Sequence, residues 1–312
     1  MAAIKAVKAI KPIKAVKAIK AVDDYVIACR SYKRATVFPE KTYRMLSHNG
    51  LTDRLYIFVA NKEEKDLYEA ALKGQVYKQI VIGKLGGANA INAICNFFPK
   101  GQRILFVDDD LNRFFTFDKE GTYTKDSKAL HRYIEDGFDS IDRYDMGAFT
   151  FSFLSNKFYL KGKPFKEFRP FILAGNFFGT RNDPAMITTK PYTSHADDSQ
   201  RTCRYIDHYG GILVYWWGGF DTHYGKEEGG LQASGDRGSA AERLKKTEEI
   251  SWRMYEEDPL IRAYCQEPTL MGGDTLYSLK LKTLPQIRKA QNERGVPIRH
   301  ATWDWWTRNP NK

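Results

Sequence analysis

This chain predicts an α/β fold, a mostly parallel central sheet flanked by helices, and three observations carry that expectation. Short apolar runs alternate with segments of helical spacing along the N-terminal part, the pattern of strands joined by crossover helices. The run at 104–107, ILFV, has no polar break, as expected of a strand buried on both faces. It ends in three consecutive carboxylates, Asp108, Asp109 and Asp110, and open α/β sheets bind ligands at the carboxyl ends of their strands.

With 312 residues the chain can bury one large core, or one core with a smaller appendage, and a single catalytic domain over 23–312 is expected. Contents of 42% hydrophobic and 28% charged residues are those of a globular protein, and no apolar run is long enough to cross a bilayer. No membrane partner is expected. A formal charge of +11 points to a polyanionic partner, a condition that nucleic acid, an anionic surface and nucleotide substrates all meet. Cys29, Cys95, Cys203 and Cys265 are widely spaced without a CxxC pair, which excludes a zinc ribbon or disulfide scaffold and suits a reducing cytoplasm.

Residues 1–22 repeat a unit in which Lys follows two apolar residues, from Lys5 to Lys20. A period of three drifts around a helix and forms no clean apolar face, and Pro12 interrupts it. Lysines at that spacing forbid the apolar core of a signal peptide. The segment is either a disordered leader without a role or a loose phosphate-binding arm.

Residues 25–28 form the first strand and run into the cationic turn Cys29-Arg30-Ser31-Tyr32-Lys33-Arg34. Arg30 can neutralise a phosphate and Tyr32 can lie against a base, with Ser31 between them, although a basic surface loop has the same composition. A helix over 39–46, with Pro39 in its first turn, precedes a second strand at 55–60, a helix at 63–72 and a third strand at 79–82. The loop Gly83-Lys84-Leu85-Gly86-Gly87 then leads into a helix over 88–98. Gly86 and Gly87 would let an anion approach free backbone N–H groups at the helix start, and Asn92 is a further polar contact. Neither the Walker A pattern nor GxGxxG is present.

On an extended backbone Asp108 and Asp110 would face one side and offer oxygen ligands to a hard divalent cation, while Asp109 faces away and is counted with the nucleotide contacts. A polar loop over 117–128, a helix over 130–144, a strand over 146–154 and another over 168–178, interrupted at Gly175, follow. Asp197 and Asp198 lie just before a helix over 201–209; each is either a helix cap or a base for an acceptor hydroxyl. The strand 211–217 leads to His223, a candidate third metal ligand or an exposed side chain. Residues 226–238 suit a mobile lid, a helix spans 239–255 and another 285–294, and Trp303, Trp305 and Trp306 either stack on bases or anchor the C-terminus.

The order of YVIACRSYKRA, GKLGGANAINAICNFF, RILFVDDDLNRFF and HADDSQRTCRYIDHYGG resembles the GT-A glycosyltransferases, and more narrowly the TET-associated glycosyltransferases of phages and fungi, over roughly residues 23–225. The resemblance implies a Rossmann-like nucleotide-sugar half over 23–116, an acceptor half over 117–238 and a helical extension over 239–312. It implies Mn²⁺ or Mg²⁺ at Asp108 and Asp110, nucleotide contacts around Arg30 and Asn92, and Asp198 or Asp197 as base. A C-terminal metal-binding histidine would fall on His223 or His300. The donor would be a nucleoside-diphosphate sugar, with a UDP-sugar foremost, and the acceptor a hydroxymethylated pyrimidine of DNA such as 5-hydroxymethylcytosine. Two other readings accompany it: the same chemistry on a protein, lipid or saccharide, and a DNA-binding protein without catalysis.

Overall fold

Alternate residues of the acidic strand face two different cores. Leu105 and Val107 pack on one side of the sheet with Ile27, Cys29 and Ile57, while Ile104 and Phe106 pack on the other with Val26, Ala28 and Phe178. That two-sided burial explains why the strand reads as an unbroken apolar run.

The structure is a computed structural model and describes residues 24–152, 154, 156–193, 196–222, 240–270 and 277–304. The first half contains β1 (Val26–Arg30), α1 (Thr42–His48), β2 (Leu55–Val59), α2 (Lys62–Ala71), β3 (Gln79–Ile82), α3 (Gly87–Phe97), β4 (Arg103–Val107), β5 (Leu111–Phe117), β6 (Tyr123–Thr124) and α4 (Leu130–Tyr144). There follow β7 (Ala148–Phe151), α5 (Lys157–Leu160), β8 (Lys166–Arg169), β9 (Phe177–Arg181), α6 (Pro184–Ile187), α7 (Asp197–Tyr209), β10 (Ile212–Tyr215) and β11 (Gly218–Thr222). The C-terminal part adds α8 (Ala240–Glu257), α9 (Pro259–Tyr264), β12 (Thr269–Leu270), β13 (Tyr277–Ser278), α10 (Leu284–Glu293) and β14 (Ala301–Trp303).

Among the described residues nine strands make the central sheet, in the order β14-β8-β10-β7-β9-β4-β1-β2-β3. The pairings give every strand one direction except β8 and β9, so the sheet is mixed but mostly parallel. The carboxyl ends of β1, β4, β7 and β10 therefore share one edge. A small antiparallel sheet, β11-β5-β6, rises from that edge directly after the acidic turn.

Helices cover both faces. Tyr43 and Leu46 of α1, Tyr68 of α2 and Ile134 and Phe138 of α4 seal one core; Ile91 and Ile94 of α3 and Tyr205 of α7 seal the other. The outer side of α7, through Cys203 and Ile206, packs against Met254 of α8, Ile261 and Tyr264 of α9 and Ile287 of α10. Local chemistry sets the starts of several helices. Asn61 accepts from the Glu64 N–H at 2.9 Å ahead of α2, Asp258 does the same for Leu260 ahead of α9, and Thr283 with Gln286 forms a capping box on α10. All four cysteines are buried free thiols.

The sequence expectation of one strand over 168–178 is corrected. β8 and β9 run in the same direction, so residues 170–176 must carry the chain back from one edge of the sheet to the other. That return segment lies beside α7, where the Leu173 N–H donates to Thr202 Oγ1 at 2.8 Å. An apolar run buried under a helix has the same composition as a strand buried in a sheet, which is why pattern alone misassigns it. The strand expected over 146–154 shortens to β7, the loop over 117–128 contains the two residues of β6, and Pro39 belongs to a short 3-10 turn ahead of α1.

Candidate functional site

The acidic turn is fixed by two neighbours. The Asp108 N–H donates to the Asn176 carbonyl at 2.9 Å, immediately before β9. Thr42, at the start of α1, donates its hydroxyl to the Asp108 carbonyl at 2.7 Å and accepts from the Leu111 N–H at 3.0 Å. Residues 109 and 110 thus form a turn rather than a continuation of β4.

This turn overturns the expected facing of the carboxylates. Side chains alternate only while the backbone stays extended. Here Asp109 and Asp110 both reach the guanidinium of Arg34, whose Nη1 lies 3.1 Å from Asp110 Oδ2 and donates to Asp109 Oδ1. Asp109 is nearly sealed off, and its second oxygen accepts from the Ser31 hydroxyl, which also meets the Tyr68 hydroxyl of α2. The two candidate nucleotide contacts Ser31 and Asp109 therefore hold each other. Asp108 stands apart, with its side chain 30% exposed and its Oδ1 3.6 Å from Arg30 Nε.

Arg30 ends β1 and reaches three other elements. Besides Asp108 it has Nη1 3.7 Å from Asp197 Oδ2, and the same nitrogen donates to the Gly87 carbonyl at 3.3 Å. One guanidinium therefore ties the end of β4, the start of α3 and the start of α7 together. Gly86 precedes α3 with φ +99°, a backbone region that disfavours any side chain, so glycine is needed there for conformational reasons. Tyr32 is half-buried in the adjoining turn, with Lys33 Nζ 5.4 Å from its ring centroid. Asn92 lies one helical turn and more into α3. Its amide donates to the Thr189 carbonyl at 2.8 Å and its oxygen accepts from the Thr189 N–H at 3.0 Å, a two-way tether to the segment after α6.

The second carboxylate pair divides in environment. Asp197 and Asp198 open α7 instead of preceding it. Asp197 is buried, 2.6 Å from Nη1 of Arg201, an arginine with no solvent exposure that lies four residues on in the same helix. Enclosure alone would raise the Asp197 carboxyl; Arg201 and Arg30 outweigh it and hold the group below the usual carboxylate range. Asp198 is half-exposed. Its Oδ1 accepts from the Ser199 N–H at 2.8 Å, and a Cβ placed on Gly175 would stand 3.9 Å from its Oδ2. Enclosure, with the charge of Asp197 beside it, pushes Asp198 up to about 6. Enclosure does the same to Asp108, lifting it to about 7 against the pull of Arg30.

A divalent cation of the Mg²⁺ kind takes hard oxygens from one or two carboxylates and fills its remaining positions with water and phosphate oxygens. The half-exposed Asp108 suits that role, and Asp110 is the second carboxylate of the turn, shared with Arg34. Asp109 does not suit it, because Ser31 and Arg34 engage both its oxygens. Among the described residues no group of three or more His, Cys, Asp and Glu side chains is arranged to hold a metal. His223 lies outside the described residues, as do the expected lid over 226–238, the leader over 1–22 and Trp305 and Trp306. His300 sits 2.8 Å from Glu167 at the start of β14, five strands from β4, or about 24 Å at the usual strand spacing; it is corrected from a candidate ligand to a partner of Glu167. Trp303 packs beside Tyr144 at 5.4 Å between ring centroids and anchors β14.

Three contributors were not singled out from the sequence. Arg34 lies in the same basic turn as Arg30, and Arg201 stands at i+4 from Asp197, a spacing that places the two on one helix face. Tyr68 gave no signal, since only the fold brings it to Ser31.

No protein-family model matches this chain, and no curated protein matches it. Among solved structures it is similar to residues 1–349 of S. aureus TarS, with a TM-score of 0.37 and 14% identity over 75% of this chain and 72% of that one.

Proposed function

We propose that this crevice transfers a sugar from a nucleoside diphosphate to a hydroxyl group, and that the hydroxyl belongs to a hydroxymethylated pyrimidine of DNA. The observation that carries the reading is Arg30, which lies within 3.7 Å of both Asp108 and Asp197 and so places a fixed cation between the acidic turn and the start of α7, where the half-buried Asp198 follows. A guanidinium in that position carries a fixed positive charge that attracts diphosphate oxygens. The N-terminal end of α3, beside Gly86 and Gly87, adds positive potential at the same place. Tyr32, in the turn after Arg30, would lie against the nucleobase.

Asp198 is the group suited to take a proton. Asp197 is committed to two arginines, whereas Asp198 keeps an oxygen toward Gly175, where the absent side chain leaves room for an acceptor. The acceptor oxygen bonds to the anomeric carbon while the bond from that carbon to the diphosphate breaks. The leaving diphosphate keeps the electron pair, and the hydroxyl proton passes to Asp198. A single displacement of this kind inverts the anomeric centre. A cation held at Asp108 would, when bound, neutralise charge developing on the diphosphate.

The DNA acceptor is supported by the formal charge of +11 and by the family resemblance. A hydroxymethyl group on a stacked base is out of reach of a recessed carboxylate, so the base would leave the stack. Incubation with hydroxymethylcytosine DNA, Mn²⁺ and a panel of sugar nucleotides, followed by mass analysis of the nucleosides, tests the reading. A mass increase of one sugar is expected with at least one donor. No increase with any donor removes the DNA acceptor, and failure of UDP, GDP and TDP to bind removes sugar transfer altogether.

A further inference from the structure

The connection between β7 and β8 carries an unusual surface. It reads Lys157-Phe158-Tyr159-Leu160-Lys161-Gly162-Lys163, and Phe158 is 75% exposed, the most exposed large apolar side chain among the described residues. Tyr159 beside it is 59% exposed, and the two rings meet edge to face at 5.4 Å. Soluble proteins seldom leave two adjacent aromatic rings in water without a use for them.

The segment is held firmly from behind. Leu160 and Phe165 are buried in the main core. Trp217 Nε1 donates to the Lys163 carbonyl at 3.0 Å, the Trp216 N–H donates to the Phe165 carbonyl at 3.1 Å, and Asn156 caps the short turn by accepting from the Phe158 N–H at 2.9 Å. Inward-facing Leu160 and outward-facing Phe158 and Tyr159 are therefore fixed by the same turn, and the rings lose little freedom when something stacks on them. Lys161 is exposed and Lys163, whose ammonium lies 4.5 Å from the Trp216 ring centroid, comes two residues later, so two cationic residues follow the aromatic pair along the chain.

Topology places this surface on the acceptor side of the crevice. The connection leaves the carboxyl end of β7 and enters the reversed strand β8, so it lies on the same sheet edge as the acidic turn. Only β9 separates β7 from β4, which puts the two strand ends about 10 Å apart.

We propose that Phe158 and Tyr159, with Lys161 and Lys163, form a stacking platform for unpaired bases of a single-stranded or locally opened nucleic acid. Aromatic faces accept any base, and adjacent lysines meet the phosphates between bases, a combination that gives sequence-tolerant and salt-dependent binding. The inference rests on the proposed DNA acceptor, for which it supplies the strand-holding surface beside the reacting base.

Fluorescence anisotropy with a labelled single-stranded dodecamer, using the full chain, tests it. Phe158→Leu/Tyr159→Leu keeps apolar bulk but removes the π faces, and is expected to weaken binding about tenfold or more. Lys161→Glu/Lys163→Glu is expected to weaken it and flatten its salt dependence. Unchanged affinity in the leucine variant, with an unaltered melting temperature, overturns the platform. Binding to phosphatidylserine vesicles in preference to the oligonucleotide, lost in the same variant, also overturns it in favour of a membrane surface. UDP binding, measured separately by calorimetry on the wild-type chain, keeps the two readings apart: nucleotide binding without oligonucleotide binding sinks the platform alone, and the converse sinks sugar transfer alone.

Discussion

Asp197 accepts a hydrogen bond from Arg201 at 2.6 Å inside the first turn of α7, and that pairing separates it in role from Asp198, its neighbour in the chain. Arg201 has no exposed surface, and its Nε and Nη2 find no hydrogen-bond partner among the described residues. The pair is thus a buried charge couple whose loss on one side leaves the other stranded.

Arg201→Met is accordingly expected to destabilise the fold by about 3–5 kcal/mol, the cost of leaving a buried carboxylate without its partner. Urea denaturation followed by circular dichroism measures it. A cost near zero would mean that Arg30 alone compensates Asp197.

Asp198→Asn should lower kcat for transfer by roughly 10²- to 10⁴-fold while leaving UDP affinity close to wild type, the signature of a lost proton acceptor. The wild-type rate should also follow pH. Enclosure pushes Asp198 up to about 6, and the proposed base works only when ionised, so kcat/KM should rise with pH through about 6 and level off above it. A rate that falls across that interval would give the group an acidic role.

Two glycines should respond oppositely. Gly179 of β9 lies against Phe149, where a Cβ would stand 2.1 Å from the ring, so Gly179→Ala is expected to cost stability by at least ~1–3 kcal/mol. A Cβ on Gly175 would meet Asp198 only at 3.6 Å and 3.9 Å, ordinary contact distances. Gly175→Ala should leave the melting temperature nearly unchanged and raise KM for the acceptor, because the added methyl fills the space beside the base. A thermal scan with acceptor-dependent kinetics separates the two.

Arg34→Lys keeps the charge but replaces the guanidinium nitrogen, Nη1, that meets both Asp109 and Asp110 with a compact ammonium on a shorter stem. Freed from that clamp, the acidic turn should hold a cation and nucleotide less well, with UDP affinity in the presence of Mn²⁺ falling about tenfold. Isothermal titration reads the change directly, and wild-type affinity would show that the clamp serves folding only.

The identity of β4, the carboxylates at its end, the alternation of strand and helix before it, and the acidic start of α7 were all legible in the amino-acid order. Each rests on local pattern: an unbroken apolar run, a helical spacing, a charged residue where a helix begins. The partners of those carboxylates were not. Asp109 finds Arg34 across 75 residues of chain and Ser31 across 78, and no periodicity records such meetings. The expected facing of Asp108 with Asp110 failed because alternation holds only on extended backbone, and the chain turns directly after Val107. The run over 168–178 split for a related reason: burial makes residues apolar whether they lie in a sheet or cross beneath a helix, and strand direction, which tells the two apart, is set by pairing between distant segments.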